Sequence, residues 1–331
     1  MNLRPEDISI GVTLFRRLAY LEEALDSAVN QTVPVKVNLY DDGCQDQAAL
    51  NRILSRFGNR VNHHRNAKTL GLFQNMNQCI WNSPTPWVSV LHDDDALATD
   101  FVERILAVTP AVDACSLFCG GTLYMNKDSR VFHQLEVRTD TPWRKISAEE
   151  FAWRNWFSFP GQLINVATAR AVGGFPAKSI YTGDWDLWFR LTAAQGAVQL
   201  SANLARYRVH LGANRGTTIA GKTGRKTACS AAQAKCNLAR LRTSGAGPRF
   251  DRIKWLCVHR PLYRDLLIYS WDMPARLLWY NRQLLLLAKP PGRKSHLLHW
   301  VSKLFGNPGI RLAGLARTLG ERLGFNMPQT F

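Results

Sequence analysis

Three consecutive aspartates, Asp93 to Asp95, follow an apolar run at residues 87–91 in a chain whose formal net charge is +17. Adjacent carboxylates raise one another's pKa and cost free energy unless a cation lies among them. Magnesium ions commonly bind one or two carboxylates together with the phosphates of a substrate. The triplet therefore indicates either a hydrated turn at a helix N-terminus or a metal site.

Three further residues with chemical potential lie beside predicted element ends. Asp42 follows a strand predicted over residues 35–40, Asp184 begins a predicted helix, and His210 closes the last predicted strand. Each has a structural explanation when taken alone, because aspartate favours turns and helix N-caps. A reaction that displaces a diphosphate needs a metal for the leaving group and a carboxylate that deprotonates the attacking group. The combination is consistent with that chemistry.

The elements that would position these residues alternate between strand and helix. Strands are predicted over residues 8–13, 35–40, 60–66 and 87–91, and helices over residues 18–32, 48–58 and 72–81. This alternation is typical of parallel strands with helices on both faces of the sheet. Ligands bind such sheets at the carboxyl ends of the strands, where Thr13 and both aspartate clusters are expected.

The composition predicts a folded protein of a reducing compartment. Hydrophobic residues make up 46% of the chain and charged residues 20%. The seven cysteines contain no CxxC pair, which argues against a disulfide framework or a structural zinc site. No stretch has the apolar core of a signal peptide or the roughly 20 apolar residues of a membrane span. We therefore expect a cytoplasmic protein.

The positive charge is concentrated in the last third of the chain. Residues 217–331 contain 20 Lys and Arg against four acidic residues, whereas residues 1–216 contain 22 against 21. This break predicts a catalytic domain at 1–216 and a basic, mainly helical region at 217–331. Leucines and tryptophans at helical intervals favour attachment of that region to an anionic membrane surface. Packing of its leucines on the catalytic domain is the alternative interpretation.

A competing motif occurs at Gly216 to Thr223, which satisfies the phosphate-binding pattern GxxxxGK[ST]. A P-loop requires a strand directly before it and a later apolar strand that ends in aspartate. The residues LGANR precede the motif, and no such later strand follows. We interpret the match as a coincidence. A P-loop NTPase and a basic nucleic-acid-binding protein are the alternative functions.

Seven segments, in order, resemble the family 2 glycosyltransferases. They are ISIGVT with the helix after it, NLYDDGCQD, NAKTLGLFQNMNQCI, LHDDDAL, VGGF, TGDWDLWFRL and YRVH, and they extend over residues 8–214. The resemblance implies the GT-A fold, a Rossmann-like α/β fold with a mixed, mainly parallel sheet and flanking helices. It also implies an inverting, metal-dependent transfer of a sugar from a nucleotide-diphosphate donor.

The resemblance assigns a catalytic role to three residues. Asp184 would be the general base that takes a proton from the acceptor hydroxyl. Asp94 would be the main protein ligand of Mg²⁺ or Mn²⁺, and His210 would be a second ligand. Gly183 stands where a glutamate often precedes the base in the family, but the base itself is kept.

The same resemblance assigns four residues to the nucleotide sugar. Asp42 would accept a hydrogen bond from the nucleobase, Thr13 would line the base or ribose pocket, and Asp93 would lie near the ribose. Asn75 belongs to the glycine and asparagine pattern that precedes the metal motif. His92 stands where the first aspartate of the DxD motif is usual, which puts the ribose contact in question.

The expected partners follow from the same resemblance and from the basic region. The donor is expected to be a nucleotide-diphosphate sugar, with a weak preference for a UDP-sugar. The acceptor is expected to be a glycan or a lipid-linked molecule of cell-envelope polysaccharide synthesis, at the inner face of the plasma membrane. Binding to nucleic acid is not expected.

Overall fold

The computed structural model describes residues 1–135, 137, 140–153, 155, 157–177, 181–210 and 225–243. The chain divides into two compact units. The first comprises Met1–Phe151, Asn155–Ser179 and Gly183–Leu211, and the second comprises Ala152–Arg154, Ile180–Thr182 and Gly212–Phe331. All residues that the sequence analysis assigned to catalysis and binding belong to the first unit.

The described residues of the first unit form one mixed sheet of ten strands. These are β1 (Ile8–Leu14), β2 (Lys36–Asp41), β3 (Val61–Arg65), β4 (Trp87–His92), β5 (Ala96–Leu97), β6 (Leu117–Met125), β7 (Val131–Leu135), β8 (Trp143–Ile146), β9 (Leu163–Asn165) and β10 (Ala197–Arg208). The strand order is β3-β2-β1-β4-β9-β6-β10-β5, with β7 paired to β6 and β8 to β10. The longest ladders, β1 with β2, β1 with β4, β2 with β3 and β6 with β10, are parallel.

The helices of the described residues alternate with these strands. They are α1 (Leu21–Val29), α2 (Gln47–Ser55), α3 (Leu72–Trp81), α4 (Phe101–Val108), α5 (Ala148–Trp153), α6 (Val166–Ala171), α7 (Gly183–Gln195) and α8 (Arg225–Thr243). The α/β fold class and the parallel pairing of the first four long strands are thereby confirmed. Helix α1 begins later than its pattern predicted, because Leu18 packs against the core from the preceding loop.

The register of the parallel strands places their carboxyl ends on one edge. Thr13 of β1 lies between Tyr40 of β2 and His92 of β4. The turn that contains the aspartate triplet starts directly after His92. The expected common edge is therefore present, and two aspartate clusters and Thr13 lie along it.

Two parts of the sequence analysis concern residues of which little is described. The P-loop-like segment from Gly216 to Thr223 lies outside the described residues, as does the basic region after residue 243. Of the region 217–331 the structure describes helix α8. Among the helices described, none is long and apolar enough to cross a membrane.

Close packing of α3 against β1 requires a glycine at position 11. A Cβ atom added to Gly11 would lie 2.8 Å from both Cβ and Sγ of Cys79. Cys79 is fully buried in the last turn of α3, and Ile10 and Val12 on either side of the glycine are also fully buried. The small residue allows the helix to approach the central strand whose end carries Thr13.

We predict that Gly11→Ala lowers the free energy of unfolding by about 1–3 kcal/mol, since the new methyl group overpacks the contact with Cys79. Urea denaturation measures this quantity. The cost of Gly11→Ala should be smaller in a Cys79→Ala background, because one of the two close contacts is removed. Equal costs in the two backgrounds would contradict this account.

Candidate active site

Asp94 has two cationic or donor side chains on the same carboxylate oxygen. Its Oδ2 lies 2.8 Å from Nε2 of His210 and 2.9 Å from Nη2 of Arg17. The same Arg17 nitrogen is 3.5 Å from Oδ1 of Asp93. The structure thus brings together the two residues assigned to the metal, Asp94 and His210. It also adds Arg17, which the sequence analysis missed.

A fully buried arginine fixes the turn that carries these carboxylates. The Arg208 side chain has 0% exposure and pairs with Glu23 of α1. Its Nε donates to the carbonyl oxygen of Asp94 (2.8 Å), and its Nη1 donates to the carbonyl oxygen of Asn126 (2.9 Å). Its backbone N–H donates to Oδ1 of Asp95 (2.8 Å). One residue of β10 therefore holds both the backbone and a side chain of the aspartate turn.

Tyr20 joins this arginine to the metal-ligand candidate. The guanidinium carbon of Arg208 lies 4.0 Å from the centre of the Tyr20 ring. The same ring packs at 5.7 Å from the imidazole of His210. A cation over an aromatic face is attracted by the ring quadrupole. Tyr20 thus contributes to the position of His210 from the loop before α1.

Burial and neighbouring charges separate the pKa values of the three aspartates. Burial and the charge of Asp94 raise the pKa of Asp93 to about 7, and they raise that of Asp95 well above its ordinary value. Burial also disfavours the charged form of Asp94, but the charges of His92 and Arg17 and the hydrogen bond with His210 hold its pKa below the ordinary value. Asp94 is therefore the fully ionised member of the triplet near neutral pH.

His92, which departs from the family pattern, is a half-buried residue of the strand end whose ring is neutral near pH 7. Its Nδ1 lies 3.0 Å from Oγ1 of Thr13, and its ring stacks on Phe159 at a centroid distance of 4.2 Å. Burial lowers its pKa to about 4. The ring therefore joins the ends of β1 and β4 without adding charge beside Asp94.

Asp42 organises the loop between β3 and α3. Its Oδ1 accepts hydrogen bonds from the amide of Asn66 (2.9 Å) and the backbone N–H of Leu70 (2.7 Å). Its Oδ2 accepts one from the backbone N–H of Gly71 (2.8 Å). Gly71 has φ +87°, a conformation that favours glycine. The predicted bond from Asp42 to a nucleobase stays a prediction, and it would use the remaining acceptor capacity of Oδ2.

Asn75 lies buried behind the strand ends. Its Nδ2 donates to the carbonyl oxygens of Leu14 (3.3 Å) and Tyr40 (3.0 Å). Its Oδ1 accepts from Nδ2 of Asn66 (3.0 Å). The amide thus ties the ends of β1 and β2 to the loop that Asp42 organises. Its predicted contact with the nucleotide sugar stays a prediction.

Asp184 lies in the first turn of α7, where the helix dipole favours a carboxylate. Its Oδ2 accepts a hydrogen bond from Nδ2 of Asn155 (2.9 Å). Burial raises the pKa of the Tyr207 phenol, and the charges of Asp95, Asp94 and Asp184 raise it further. The base candidate therefore contributes, with two members of the aspartate turn, to the negative potential at Tyr207.

Asp186, two residues further along α7, has a structural role. Its Oδ2 lies 2.6 Å from Nη2 of Arg190, one helical turn away. The same arginine nitrogen donates to the carbonyl oxygen of Gly174 (2.6 Å). This pair supports Asp184 rather than Asp186 as the base candidate.

Phe15 is a second residue that the sequence analysis missed. Its side chain is 43% exposed directly after β1. A ring carbon lies 4.0 Å from where a Cβ of Gly43 would be, and its backbone N–H lies 3.5 Å from Oδ2 of Asp93. An exposed ring at this edge provides a surface on which a planar base can stack. The aromatic residue after the first predicted strand was the signal.

The donor atoms of Asp94 and His210 fit a hard divalent cation. The spacing of 2.8 Å between Oδ2 and Nε2 is close to that of two neighbouring ligands with bonds of about 2.1 Å. In the part of the chain that the structure describes, no three His, Cys, Asp or Glu side chains converge as a metal site. The remaining ligands would come from bound phosphate and water.

Comparison with known proteins supports the fold and the family that the sequence resembles. Residues 9–161 match the family model described as glycosyl transferase family 2. TarS from S. aureus (residues 1–349), solved with UDP-GlcNAc, has 13% identity and a TM-score of 0.64, over 95% of this chain and 92% of that chain. The mannosyltransferase PcManGT from Pyrobaculum calidifontis, solved with GDP-Man and Mn²⁺, has 15% identity and a TM-score of 0.52, over 96% and 90%. No curated protein matches the sequence. These likenesses confirm the GT-A fold.

We predict that Arg208→Met lowers the free energy of unfolding by about 3 kcal/mol, because it leaves Glu23 and two carbonyl groups without their buried cationic partner. Arg206→Met is the matched control. Arg206 also faces Glu23, at 3.6 Å, but its side chain is 36% exposed. Its replacement should cost less than about 1 kcal/mol. If urea denaturation shows the same loss of unfolding free energy for both variants, Arg208 does not stabilise the turn more than an exposed arginine does.

Proposed function

We propose, from the match of residues 9–161 to the glycosyl transferase family 2 model, that the protein is a metal-dependent, inverting glycosyltransferase that uses a nucleotide-diphosphate sugar. One observation carries the proposal. Asp94 and His210 converge at the carboxyl ends of the parallel strands, and Asp184 provides a separate carboxylate in the first turn of α7. A cation ligand set and a separate carboxylate are what displacement of a diphosphate requires.

The donor side of the site would lie along the ends of β1, β2 and β4. We infer that the exposed Phe15 ring stacks on the nucleobase, with Asp42 at the edge of the base. Thr13 and Asp93 would line the ribose. TarS binds UDP-GlcNAc and UDP, and PcManGT binds GDP-Man, which supports a sugar nucleotide as the donor class. A UDP-sugar is favoured within this class.

The chemical roles follow from the charges. Asp94 and His210 would hold Mg²⁺ or Mn²⁺, which when bound neutralises charge on the leaving diphosphate. Asp184 would accept the proton of the acceptor hydroxyl as that oxygen attacks the sugar. Its place in the first turn of α7 favours the ionised form needed for this step. Attack from the side opposite the leaving group gives the inverted product that the family resemblance implies.

The proposed acceptor and cellular location are inferred from the sequence. We propose a glycan or lipid-linked acceptor of cell-envelope polysaccharide synthesis, presented at the cytoplasmic face of the plasma membrane. The support is the concentration of positive charge in residues 217–331, which favours an anionic lipid surface. Residues 1–216 would then form the catalytic domain.

A panel of sugar nucleotides tests the proposed activity directly. The full chain is incubated with each UDP- or GDP-sugar and Mn²⁺, and release of the nucleoside diphosphate is measured with and without EDTA. We expect release from at least one sugar nucleotide, and we expect EDTA to abolish it. Nucleoside triphosphate hydrolysis in the absence of any sugar-nucleotide turnover would favour the P-loop alternative instead.

We predict that Asp184→Asn lowers the rate of sugar transfer by about 10²–10⁴-fold, because the amide cannot accept the proton of the acceptor. Binding of UDP with Mn²⁺, measured by calorimetry, should change little. Asp113→Asn is the control, since Asp113 is 95% exposed and pairs with Lys145. Full activity of Asp184→Asn would contradict the assigned base.

We predict that Phe15→Ala weakens UDP binding by about tenfold or more, since base–aromatic stacking contributes about 1–3 kcal/mol per base. Phe132→Ala is the matched control, because Phe132 is 58% exposed on β7, which pairs with β6 and with none of β1, β2 and β4. Calorimetric titration of both variants with UDP and Mn²⁺ measures the difference. Equal affinities would exclude Phe15 from the base site.

A further inference from the structure

Arg17 occupies the carboxylate oxygen that a cation would need. Its Nη2 lies 2.9 Å from Oδ2 of Asp94 and 3.5 Å from Oδ1 of Asp93. The carboxylates are 13% and 7% exposed, whereas the Arg17 side chain is 50% exposed. Arg17 lies in the loop between β1 and α1, outside any helix or strand. Its charged group therefore reaches a largely buried anion from the solvent side.

We propose that Arg17 is a built-in counter-ion that makes the binding of metal and of sugar nucleotide depend on each other. It would hold Asp94 before the donor binds and would move to the diphosphate once the donor and a divalent cation arrive. The inference rests on the proposed function, since it assigns a coupling device to that same site.

The competition follows from the shared oxygen. Oδ2 of Asp94 already has His210 at 2.8 Å and Arg17 at 2.9 Å. A cation that binds Asp94 and His210 would lie beside the guanidinium, and the repulsion between the two positive charges favours displacement of Arg17 from this oxygen. Divalent cations such as Mg²⁺ also lose their bound water reluctantly. Two protein ligands and a displaced arginine therefore make the cation's affinity low in the absence of the donor.

The sugar-nucleotide donor would compensate both for the small number of protein ligands and for the displacement of Arg17. Its phosphate oxygens add ligands to the cation, and they offer the released Arg17 a new anionic partner. A guanidinium binds phosphate oxygens well because its planar donors match their geometry in a bidentate fashion. Since half of the Arg17 side chain is exposed, the movement requires no opening of the core. By linkage, the factor by which donor strengthens metal binding equals the factor by which metal strengthens donor binding.

A simple surface salt bridge is the competing explanation of Arg17. Such pairs contribute little, and their loss leaves other equilibria unchanged. The two explanations differ in how the nucleotide affects cation binding. Loss of the positive charge strengthens cation binding under both explanations, but only loss of a coupling residue also reduces the enhancement of cation binding by the nucleotide.

Titration of the full chain with Mn²⁺, followed by the electron paramagnetic resonance of free Mn²⁺, tests the proposal. UDP and GDP serve as donor probes. We expect Arg17→Gln to bind Mn²⁺ alone about fivefold or more tightly than the wild type, with a matching decrease in the enhancement by the nucleotide. Arg17→Lys keeps the charge but not the planar fork, and we expect an intermediate value.

Two variants serve as controls. Arg104→Gln makes the same change of charge at an exposed arginine that pairs with Asp100 of its own helix, and it should match the wild type. Asp94→Asn should lose Mn²⁺ binding in every condition. Circular dichroism and thermal unfolding establish that each variant is folded.

The outcomes separate the inference from the function on which it rests. Equal nucleotide enhancement in Arg17→Gln, Arg17→Lys and wild type, whatever the affinity for Mn²⁺ alone, would overturn the role of Arg17 and leave the proposed function standing. Absence of Mn²⁺ binding by the wild type, with or without UDP or GDP, would contradict the metal-dependent function itself and with it the inference.

Discussion

Arg208 carries a buried positive charge at the end of β10, and the turn, the loop and the helix around it are arranged to compensate that charge. Its guanidinium binds the carbonyl oxygens of Asp94 and Asn126 and pairs with Glu23, while its backbone N–H binds Asp95. A charge without exposure must have such partners, because desolvation costs several kcal/mol per ion. The position of Asp94 relative to the strand ends therefore follows from a residue that touches no substrate in the proposed mechanism.

The aspartate triplet is compatible with its burial because its members differ in ionisation. Asp93 and Asp95 have raised pKa values, whereas Asp94 is held ionised by Arg17 and His210 despite its burial. The three carboxylates thus do not place three full negative charges in one turn. His92 is consistent with the same balance, since burial keeps its ring neutral and its Nδ1 lies beside Thr13. The strand end has one full anion, and that anion is where the candidate cation ligands meet.

The nucleotide side of the site depends on hydrogen bonds that connect three strand ends with one loop. Asp42 binds the backbone of the loop before α3, and Asn75 binds the carbonyl groups of Leu14 and Tyr40. Asn66 donates to both residues. This network explains why polar residues recur at these positions in the sequence. A bound base would meet a surface whose shape is already set by the protein.

The alternation of apolar runs by itself determined the parallel strands, and the order of strand-end motifs determined the GT-A fold and the family, because both depend on local patterns along the chain. The convergence of Asp94 with His210 was expected from the family pattern alone. Only the tertiary structure decided that Arg17, Phe15 and Arg208 belong to the site. Arg208 contacts residues more than 80 positions away along the chain. Arg17 follows β1 and contacts Asp94, which follows the neighbouring strand β4. An arginine has no local signature for such contacts, because its burial and its partners are set by the packing of distant segments.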